Sequence, residues 1–600
     1  MTDNKSKYMI AYPRVWMNKS LIIALVVCQS FLTKAQIATT AFQLNQCGFY
    51  PNSQKVAVLT DAATESKFYI ASANGKEIVF TGELSEQRQS ANSSTKTRVA
   101  NFSAFTKPGQ YIIISGQHKS YPFEIKNELY KNVATAVLKA YYFQRASMPL
   151  EAAFAGQWQR RGFHPDDVVY IHPTAASAQR PEGSTISSTG GWYDAGDYNK
   201  YIVNSGITMG TIFSAYEDFP EYFKKLVTNI PESNDAVPDI LNEAIYNLRW
   251  MLTMQDLDGG VYNKCTNASF DGMVMPGVTK DKRWVVQKGT AATLDFAAVT
   301  AQAARILAPF KKQMPGGLAD SCLVASRKAW EWALLHPAME YKQNENNQQF
   351  KPAVTTGGYG DNHFQDEWFW AASELFLTTK EDKFYQVVAL RVQDTIGLPS
   401  WNNVGMMGIY SFLHFANQLP ATYGSTVAAM KAKILAMADA YLEKTKSNAF
   451  GTVMGQSAKD FVWGSNANAA NQGMLLIKSY LLTKEKKYLD HALTNADYLL
   501  GRNATGYCLV TGIGSKSPMH PHHRQSVADT IVEPVPGLLA GGPNPGRQDG
   551  CQYPFTETET AYVDVDCSYA SNEIAINWNA PAVYLFNAME ALQKAAGYYK

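Results

Sequence analysis

The chain has 600 residues, of which 46% are hydrophobic and 18% charged, and its formal net charge is +2. That length exceeds one ordinary domain and points to two or more folding units. The composition excludes a disordered chain, and the near-balanced charge provides no field to steer nucleic acid or an acidic polymer, so no nucleic-acid partner is expected.

The N-terminus reads as an address rather than as fold. From Met17 the sequence runs MNKSLIIALVVCQSFLTKAQ. Lys19 supplies a positive start, residues 21–27 an apolar run, and Thr33 and Ala35 small residues before a cut after Ala35. The run is too short to span a membrane comfortably. Residues 1–35 are therefore expected to be an N-terminal extension with a cleaved export signal. The mature chain would then lack a membrane span and work in the periplasm or outside the cell. Cys28 fits lipid attachment poorly because the bulky Val27 precedes it. After cleavage six cysteines remain, Cys47, Cys265, Cys322, Cys508, Cys551 and Cys567. An even number in an exported chain permits disulfides, but without a CxxC pair free thiols are at least as well supported, and no pairing is readable.

From residue 36 to residue 126 the apolar residues come in short β-rich bursts: KVAVLT at 55–60, KFYIAS at 67–72, EIVF at 77–80 and GQYIIIS at 109–115. Asn74-Gly75 and Pro108-Gly109 mark turns between them, and the pattern predicts a small β-sandwich. From residue 127 to residue 600 the period becomes helical. Amphipathic stretches are predicted near 131–145, 199–216, 236–254, 290–308, 318–335, 366–378, 382–393, 405–416, 424–446, 467–483, 486–500 and 581–597. Twelve helices can pair into six hairpins and close a ring, an (α/α)6 barrel. Long loops rich in Gly, Asn, Asp and aromatics lie between them at 182–200, 255–289, 352–366, 452–466 and 503–576. If alternate loops gather on one face, the 190s and the 570s meet in a cleft.

Three of these loops carry candidate chemistry. In GGWYDAGDYNKY, residues 190–201, Asp194 and Asp197 flank two small residues, an arrangement able to hold a water and take its proton, although helix capping explains such aspartates equally simply. In CLVTGIGSKSPMHPHHRQ, residues 508–525, His520, His522, His523 and Arg524 crowd a Gly/Pro-rich loop. No carboxylate or Cys there has zinc spacing, so donors to ligand hydroxyls, or imidazoles bonded to loop carbonyls, are the readings that remain. In AYVDVDCSYASNEIAINWNAP, residues 561–581, Glu573 stands among Tyr569, Asn572, Asn577 and Trp578 ahead of a helix read as opened by Pro581. Desolvation there would raise its pKa as a general acid requires, while a helix N-terminus would lower it, and taken alone the residue reads more simply as a capping glutamate.

Taken together these segments resemble glycoside hydrolase family 9, the cellulase and endoglucanase family, in its type with an N-terminal immunoglobulin-like domain. The resemblance runs from about Gln43 to the C-terminus. It also includes TAATLDFAA at 290–298, DEWFWAASELF at 366–376, WGSNANAANQG at 463–473 and GLLAGGPNP at 537–545. It implies an immunoglobulin-like β-sandwich followed by an all-α (α/α)6 catalytic barrel. Asp197 is then the general base, Asp194 its partner in holding water, and Glu573 the general acid. His522 and Arg524 bind the sugar near the cleavage point, and Tyr569, Trp463 and Trp578 are cleft aromatics. The family inverts, so Asp197 and Glu573 are expected about 6.5–9.5 Å apart across a cleft. Asp361, Asp366 and Glu367, in YGDNHFQDEW, resemble a calcium loop of the family, with helix N-terminal acids as the plain alternative. The family's structural zinc is expected to be absent, because Ala146 and Phe163 stand where its cysteines would be and only His164 remains. Cys508 also departs from the usual residue of the histidine loop. No cofactor is expected for the chemistry itself. The expected activity is endo-hydrolysis of a β-1,4-glucan by a monomer. An exo-acting β-glucosidase or β-glucosaminidase, or a non-catalytic glucan-binding protein, are the alternatives.

Overall fold

A computed structural model describes residues 41–60, 65–314 and 316–599. The predicted export signal and Cys28 lie outside the described residues. Among the described residues no helix is long and apolar enough to cross a membrane.

An N-terminal β-sheet domain precedes a helical domain. Its strands are β1 (Phe42–Gln43), β2 (Gly48–Phe49), β3 (Val56–Leu59), β4 (Lys67–Ser72), β5 (Ile78–Glu83), β6 (Arg88–Gln89), β7 (Lys96–Asn101), β8 (Gly109–Ser115), β9 (His118–Lys119) and β10 (Phe123–Ile125). One sheet has the order β1-β3-β7-β6 and the other β2-β10-β8-β4-β5, with β9 paired to β8. Side chains alternate as a half-buried strand requires: Phe68 and Ile70 of β4 and Tyr111 and Ile113 of β8 enter the core between the sheets, with Phe49, Phe102 and Phe123. Strand β3 breaks the alternation, since all four of its residues are buried. Ala57 and Leu59 face the sandwich core, whereas Val56 and Val58 pack on Ala449 and Phe450 of the helical domain. The continuous apolar run KVAVL therefore records a strand covered on both faces.

Among the described residues twelve helices of ten residues or more follow: α1 (Lys131–Gln144), α2 (Ile202–Asp218), α3 (Asp239–Thr253), α4 (Thr290–Leu307), α5 (Leu318–Leu335), α6 (Gln365–Thr379), α7 (Asp382–Arg391), α8 (Gly405–His414), α9 (Gly424–Thr445), α10 (Ser465–Thr483), α11 (Lys486–Leu499) and α12 (Ile576–Leu592). Each matches a predicted stretch. Helices α2, α4, α6 and α8 pack in succession, as do α10, α12 and α2. Helices α1, α5, α7, α9 and α11 pack against α12, α4, α6, α10 and α10. The first set is buried almost all round: every residue of α4 except Arg305 is buried. Helix α9, by contrast, buries only Thr426, Met430, Ile434 and Ala438, one residue per turn.

Two departures from the sequence reading bear on the site. Helix α12 opens at Ile576, not at Pro581, which lies inside it. Proline cannot donate a backbone N–H, so the Asn577 carbonyl one turn back is left without a helical partner. The stretches read as loops at 182–200 and 255–289 also contribute to a five-stranded sheet. It comprises β11 (Val169–Ile171), β12 (Thr185–Ile186), β13 (Lys200–Tyr201), β14 (Lys264–Thr266) and β15 (Trp284–Val285) in the order β12-β11-β15-β14-β13. Its strands are two or three residues long, below what periodicity can register. Of the cysteines, Cys551 and Cys567 are joined in a disulfide, and Cys47, Cys265, Cys322 and Cys508 are free.

The β-sheet domain is tied to the helical domain by buried polar bonds. Tyr50 donates its hydroxyl to Glu590 Oε1 at 2.5 Å, and the Tyr50 ring stacks on Tyr598 at 5.5 Å. Asn45 Nδ2 donates to Asp497 Oδ1 at 2.8 Å and to the Tyr130 hydroxyl at 2.9 Å. A hydrogen bond to a buried carboxylate contributes about 1.5–3 kcal/mol. Tyr50→Phe should therefore lower the unfolding free energy by about that amount in chemical denaturation. A change below about 0.5 kcal/mol would show that the bond adds nothing to the attachment.

Candidate active site

Four chain segments meet at the N-terminal ends of α2 and α12. The Asp194 carbonyl accepts the Ile576 amide at 2.8 Å, and Ala195 pairs with Ala575. The His522 amide donates to the Asn572 carbonyl at 2.9 Å, and the Gly541 amide to the Glu573 carbonyl at 2.8 Å. The Gly196 carbonyl accepts from both the backbone N–H and Nη1 of Arg524, at 3.1 and 2.8 Å. Gly196 is required sterically, because a Cβ there would lie 2.0 Å from the His522 carbonyl oxygen.

This stitching brings Asp194, Asp197 and Glu573 to one cavity of about 640 Å³. Trp463, Trp578, Tyr201, Tyr359, Trp401 and Phe270 line it as well. Six aromatic rings and three carboxyls in one cavity give flat faces for stacking and groups able to move protons.

The three carboxyls have different surroundings. Asp197 Oδ2 accepts from Asn199 Nδ2 at 2.6 Å and from the Tyr201 hydroxyl at 3.2 Å. The Asn199 amide cannot turn over: its Oδ1 accepts from Thr266 Oγ1, the Asn267 amide and Arg283 Nη1, so its NH₂ faces Asp197. Asp194 accepts from Asn204 Nδ2 at 2.9 and 3.0 Å and from the Tyr359 hydroxyl at 3.1 Å. Burial, and then the charge of Asp197, push Asp194 well above the usual carboxylate range. Glu573 is also pushed well above that range, by burial first and then by the charge of Asp197. The Arg524 guanidinium and the Gly196 N–H oppose that rise without cancelling it. Protein encloses the Glu573 carboxyl, yet its side chain keeps some surface towards the cavity. Such surroundings favour the protonated form of the carboxyl.

The remaining residues singled out from the sequence divide. Trp463 and Trp578 line the cavity, and Tyr569 stacks on Trp463 at 5.5 Å. His522 and Arg524 stand behind the cavity wall. His522 Nδ1 lies 2.6 Å from the Asp566 carbonyl, so that nitrogen carries the proton and Nε2 is the open position. Burial favours its neutral form. Arg524 Nε donates to the Asp271 carbonyl at 2.9 Å and its guanidinium lies over Phe270. Arg524 thus clamps the loop that carries Asp197. His523 is bonded on both ring nitrogens, to Ser526 and Gln144, as a structural imidazole. Asn199, Tyr201, Asn204, Tyr359 and Trp401 were not singled out from the sequence. Three of them lie in or just beyond the Asp-containing motif at 190–201, where their short spacing from Asp194 and Asp197 was the available signal.

A second acidic cluster lies at the N-terminal ends of α4 and α6. Both carboxyl oxygens of Asp295 and Glu367, and Asp361 Oδ2, are buried without a hydrogen-bond donor. Burial and mutual repulsion push Asp295 and Glu367 well above the usual carboxylate range. Asp366 Oδ2 accepts the Val404 amide at 2.7 Å, ahead of α8. Helix capping therefore accounts for Asp366 but not for five unpartnered oxygens. Among the described residues no three His, Cys, Asp or Glu side chains gather closely enough to hold a metal ion by themselves. A hard cation here would need backbone carbonyls and water to complete its six to eight oxygens, as calcium commonly does. At the expected zinc position, Ala146 packs with Tyr193 and Tyr198. His164 Nδ1 bonds the Tyr193 hydroxyl at 2.8 Å, and burial holds the ring neutral down to about 3.

Known proteins resemble the chain in sequence and fold. Residues 130–586 match the glycosyl hydrolase family 9 model and residues 38–120 the cellulase N-terminal ig-like domain. The chain is 46% identical to a xyloglucan-specific endo-β-1,4-glucanase of Bacteroides ovatus, over 93% of this chain and 94% of that protein. It is 32% identical to endoglucanase D of Acetivibrio thermocellus, over 90% of this chain and 82% of that one. A solved Bacteroides ovatus GH9 structure superposes with a TM-score of 0.88 at 45% identity, covering 92% of this chain and 99% of that one.

The backbone approach at Gly196 can be tested without substrate. Gly196→Ala forces the His522 carbonyl to move, and overpacking of this kind costs about 1–3 kcal/mol. A thermal midpoint equal to that of the parent would mean that the loop is not pinned there.

Proposed function

The chain belongs to glycosyl hydrolase family 9, and from that premise we propose that it cleaves internal bonds of a β-1,4-glucan, with xyloglucan the first substrate to test. The observation that carries this reading is the convergence of Asp197 and Glu573 on one aromatic-lined cavity in unlike environments. The protonated Glu573 carboxyl gives its proton to the departing glycosidic oxygen. Asp197, helped by Asp194, orients a water on the opposite face of the sugar and takes its proton as the oxygen attacks the anomeric carbon. A β-linkage then yields an α-configured reducing end. Activity falls at alkaline pH as Glu573 loses its proton, because its folded pKa is raised and the acid form persists only below it.

The packing succession of α2, α4, α6 and α8, and of α10, α12 and α2, supports a closed (α/α)6 barrel with α1, α3, α5, α7, α9 and α11 outside it. The similarity to a xyloglucan-specific enzyme supports a branched glucan substrate and an exported enzyme. We also propose calcium at Asp361, Asp366 and Glu367, joined by Asp295, because a divalent cation would neutralise the unpartnered oxygens and cross-link α4 to α6. Zinc is not proposed, since His164 is committed to Tyr193.

Glu573→Gln and Asp197→Asn should each lower kcat on an unactivated glucan by about 10²–10⁴-fold with the fold intact. NMR of the first product formed should show the α-anomer. Near-parental turnover, or a β-anomer, removes the assignment. The viscosity of a soluble xyloglucan should drop early relative to reducing ends released, and a slow drop would indicate exo attack. Chelation with EGTA should lower the thermal midpoint, and added calcium should restore it. An unchanged midpoint overturns the calcium site.

A further inference from the structure

The cavity that holds Asp197 and Glu573 continues inward between the helices. Its walls include Ile207 and Thr211 of α2, Ala467 and Asn471 of α10, and Pro581 of α12. Thr211 stands nine residues inside α2, Asn471 six inside α10 and Pro581 five inside α12. At a rise of about 1.5 Å per residue, these positions lie roughly 13, 9 and 7 Å below the helix ends where the carboxyls gather. Helix α12 packs against both α2 and α10, so the three walls stand around one shaft. Leu398 and Pro399, ahead of α8, close a further side.

The shaft is mostly apolar, with two acceptors left open. Pro581 carries no N–H, so the Asn577 carbonyl has lost its donor one turn on. A helix carbonyl points towards the residue four ahead, and Asn577 and Pro581 both line the cavity, so this oxygen belongs to the shaft wall. Asn471 Nδ2 donates to the Pro399 carbonyl at 3.1 Å, which fixes the amide, and its Oδ1 meets no donor. Apolar walls with a few open acceptors suit a pyranose ring, whose C–H faces are apolar and whose hydroxyls donate.

An unbranched glucan has no use for such depth. Successive sugars of a β-1,4 chain are turned by half a rotation, so their O6 atoms point alternately to the cleft floor and to solvent. A substituent on a solvent-facing O6 needs no pocket. A substituent on a floor-facing O6 needs one, and a flat floor would exclude it. We propose that the shaft is a subsite for a single glycosyl branch carried on O6 of a backbone sugar beside the cleavage point, with Thr211, Ala467 and Asn471 as specificity-determining residues. This rests on the β-1,4-glucanase reading given above and names the feature of the substrate that the cavity selects.

The test is the ratio of kcat/KM on xyloglucan, which carries such branches, to kcat/KM on a mixed-linkage glucan, which carries none, for the parent and Ala467→Leu. Ala467 lines the cavity in the first turn of α10, and leucine is a good helix former that would project into the shaft rather than into packed core. The ratio should fall about 10-fold or more, because the lost space is needed by the branched substrate alone. Should Ala467→Leu not fold, Thr211→Met, which fills the shaft from α2, carries the same expectation. An unchanged ratio in a folded variant, equal losses on both glucans included, overturns the branch subsite. A parent active on mixed-linkage glucan alone overturns it too, and leaves the glucanase reading standing. A parent inactive on both glucans overturns that reading, and this proposal with it.

Discussion

The carbonyl of Gly196 accepts two hydrogen bonds from Arg524, and the carbonyl of Asp194, two residues earlier, accepts the Ile576 amide. These bonds join chain segments more than three hundred residues apart, near the point where α2 and α12 pack side by side. The entropy of closing so long a loop grows only logarithmically with its length, so the distance in sequence is tolerable once the helices are packed. Placement is what the bonds supply. Asp197 stands one residue after the clamped carbonyl and Glu573 three before the bonded amide. Neither carboxyl can shift against the other without breaking backbone bonds. General acid–base catalysis by two fixed carboxyls needs that rigidity, since displacements near 1 Å can cost about 10²-fold in rate.

The same end of the helical array gathers the acidic side chains. Asp197 precedes α2, Glu573 precedes α12, and Asp361, Asp366 and Glu367 surround the start of α6. Helix N-termini favour negative charge by a few tenths to about 1 kcal/mol near the surface. That preference suits a base and opposes an acid that must keep its proton. Burial, the first cause of the rise at Glu573, outweighs it there. At Asp197 two hydrogen-bond donors, Asn199 Nδ2 and the Tyr201 hydroxyl, face the carboxylate. Acid and base are therefore distinguished by what surrounds each carboxyl.

Much of this arrangement was legible in the sequence. The helical period marks all twelve long helices, and the β-rich bursts mark the sandwich, because both patterns report burial on one face over many residues. Asp194, Asp197 and Glu573, which the structure brings to one cavity, could be singled out because they sit in long matched motifs; as isolated acids they resemble helix caps. The misses have local causes. Pro581 reads as a helix start because proline is common there, yet the first turn of α12 begins at Ile576, anchored by the Asp194 carbonyl. The bonds of Arg524 to the Gly196 and Asp271 carbonyls are ones that no residue pattern reveals. Lys264 lies in a three-residue strand whose partner is more than sixty residues away, so nothing nearby marks it as buried.

A buried ionic cluster lies beside His164 and the sheet that holds Lys264. Asp166 pairs with Lys200 and Arg283, all three buried, and the two cations hold its carboxyl down to about 2. Lys200 Nζ also donates to the carbonyls of Ser188 and Gly190, on the approach to Asp194. A buried ionic cluster is poor evidence of net stability, because desolvation offsets most of the attraction. It does specify geometry, since each ion must meet its partners or remain unpaired. Arg283 extends that specification to the site, fixing the Asn199 amide that faces Asp197. The orientation of Asp197, the proposed base, is therefore held from two sides, by the Asp166 cluster through Asn199 and by the bond from Lys264 to the Gly357 carbonyl through Tyr201.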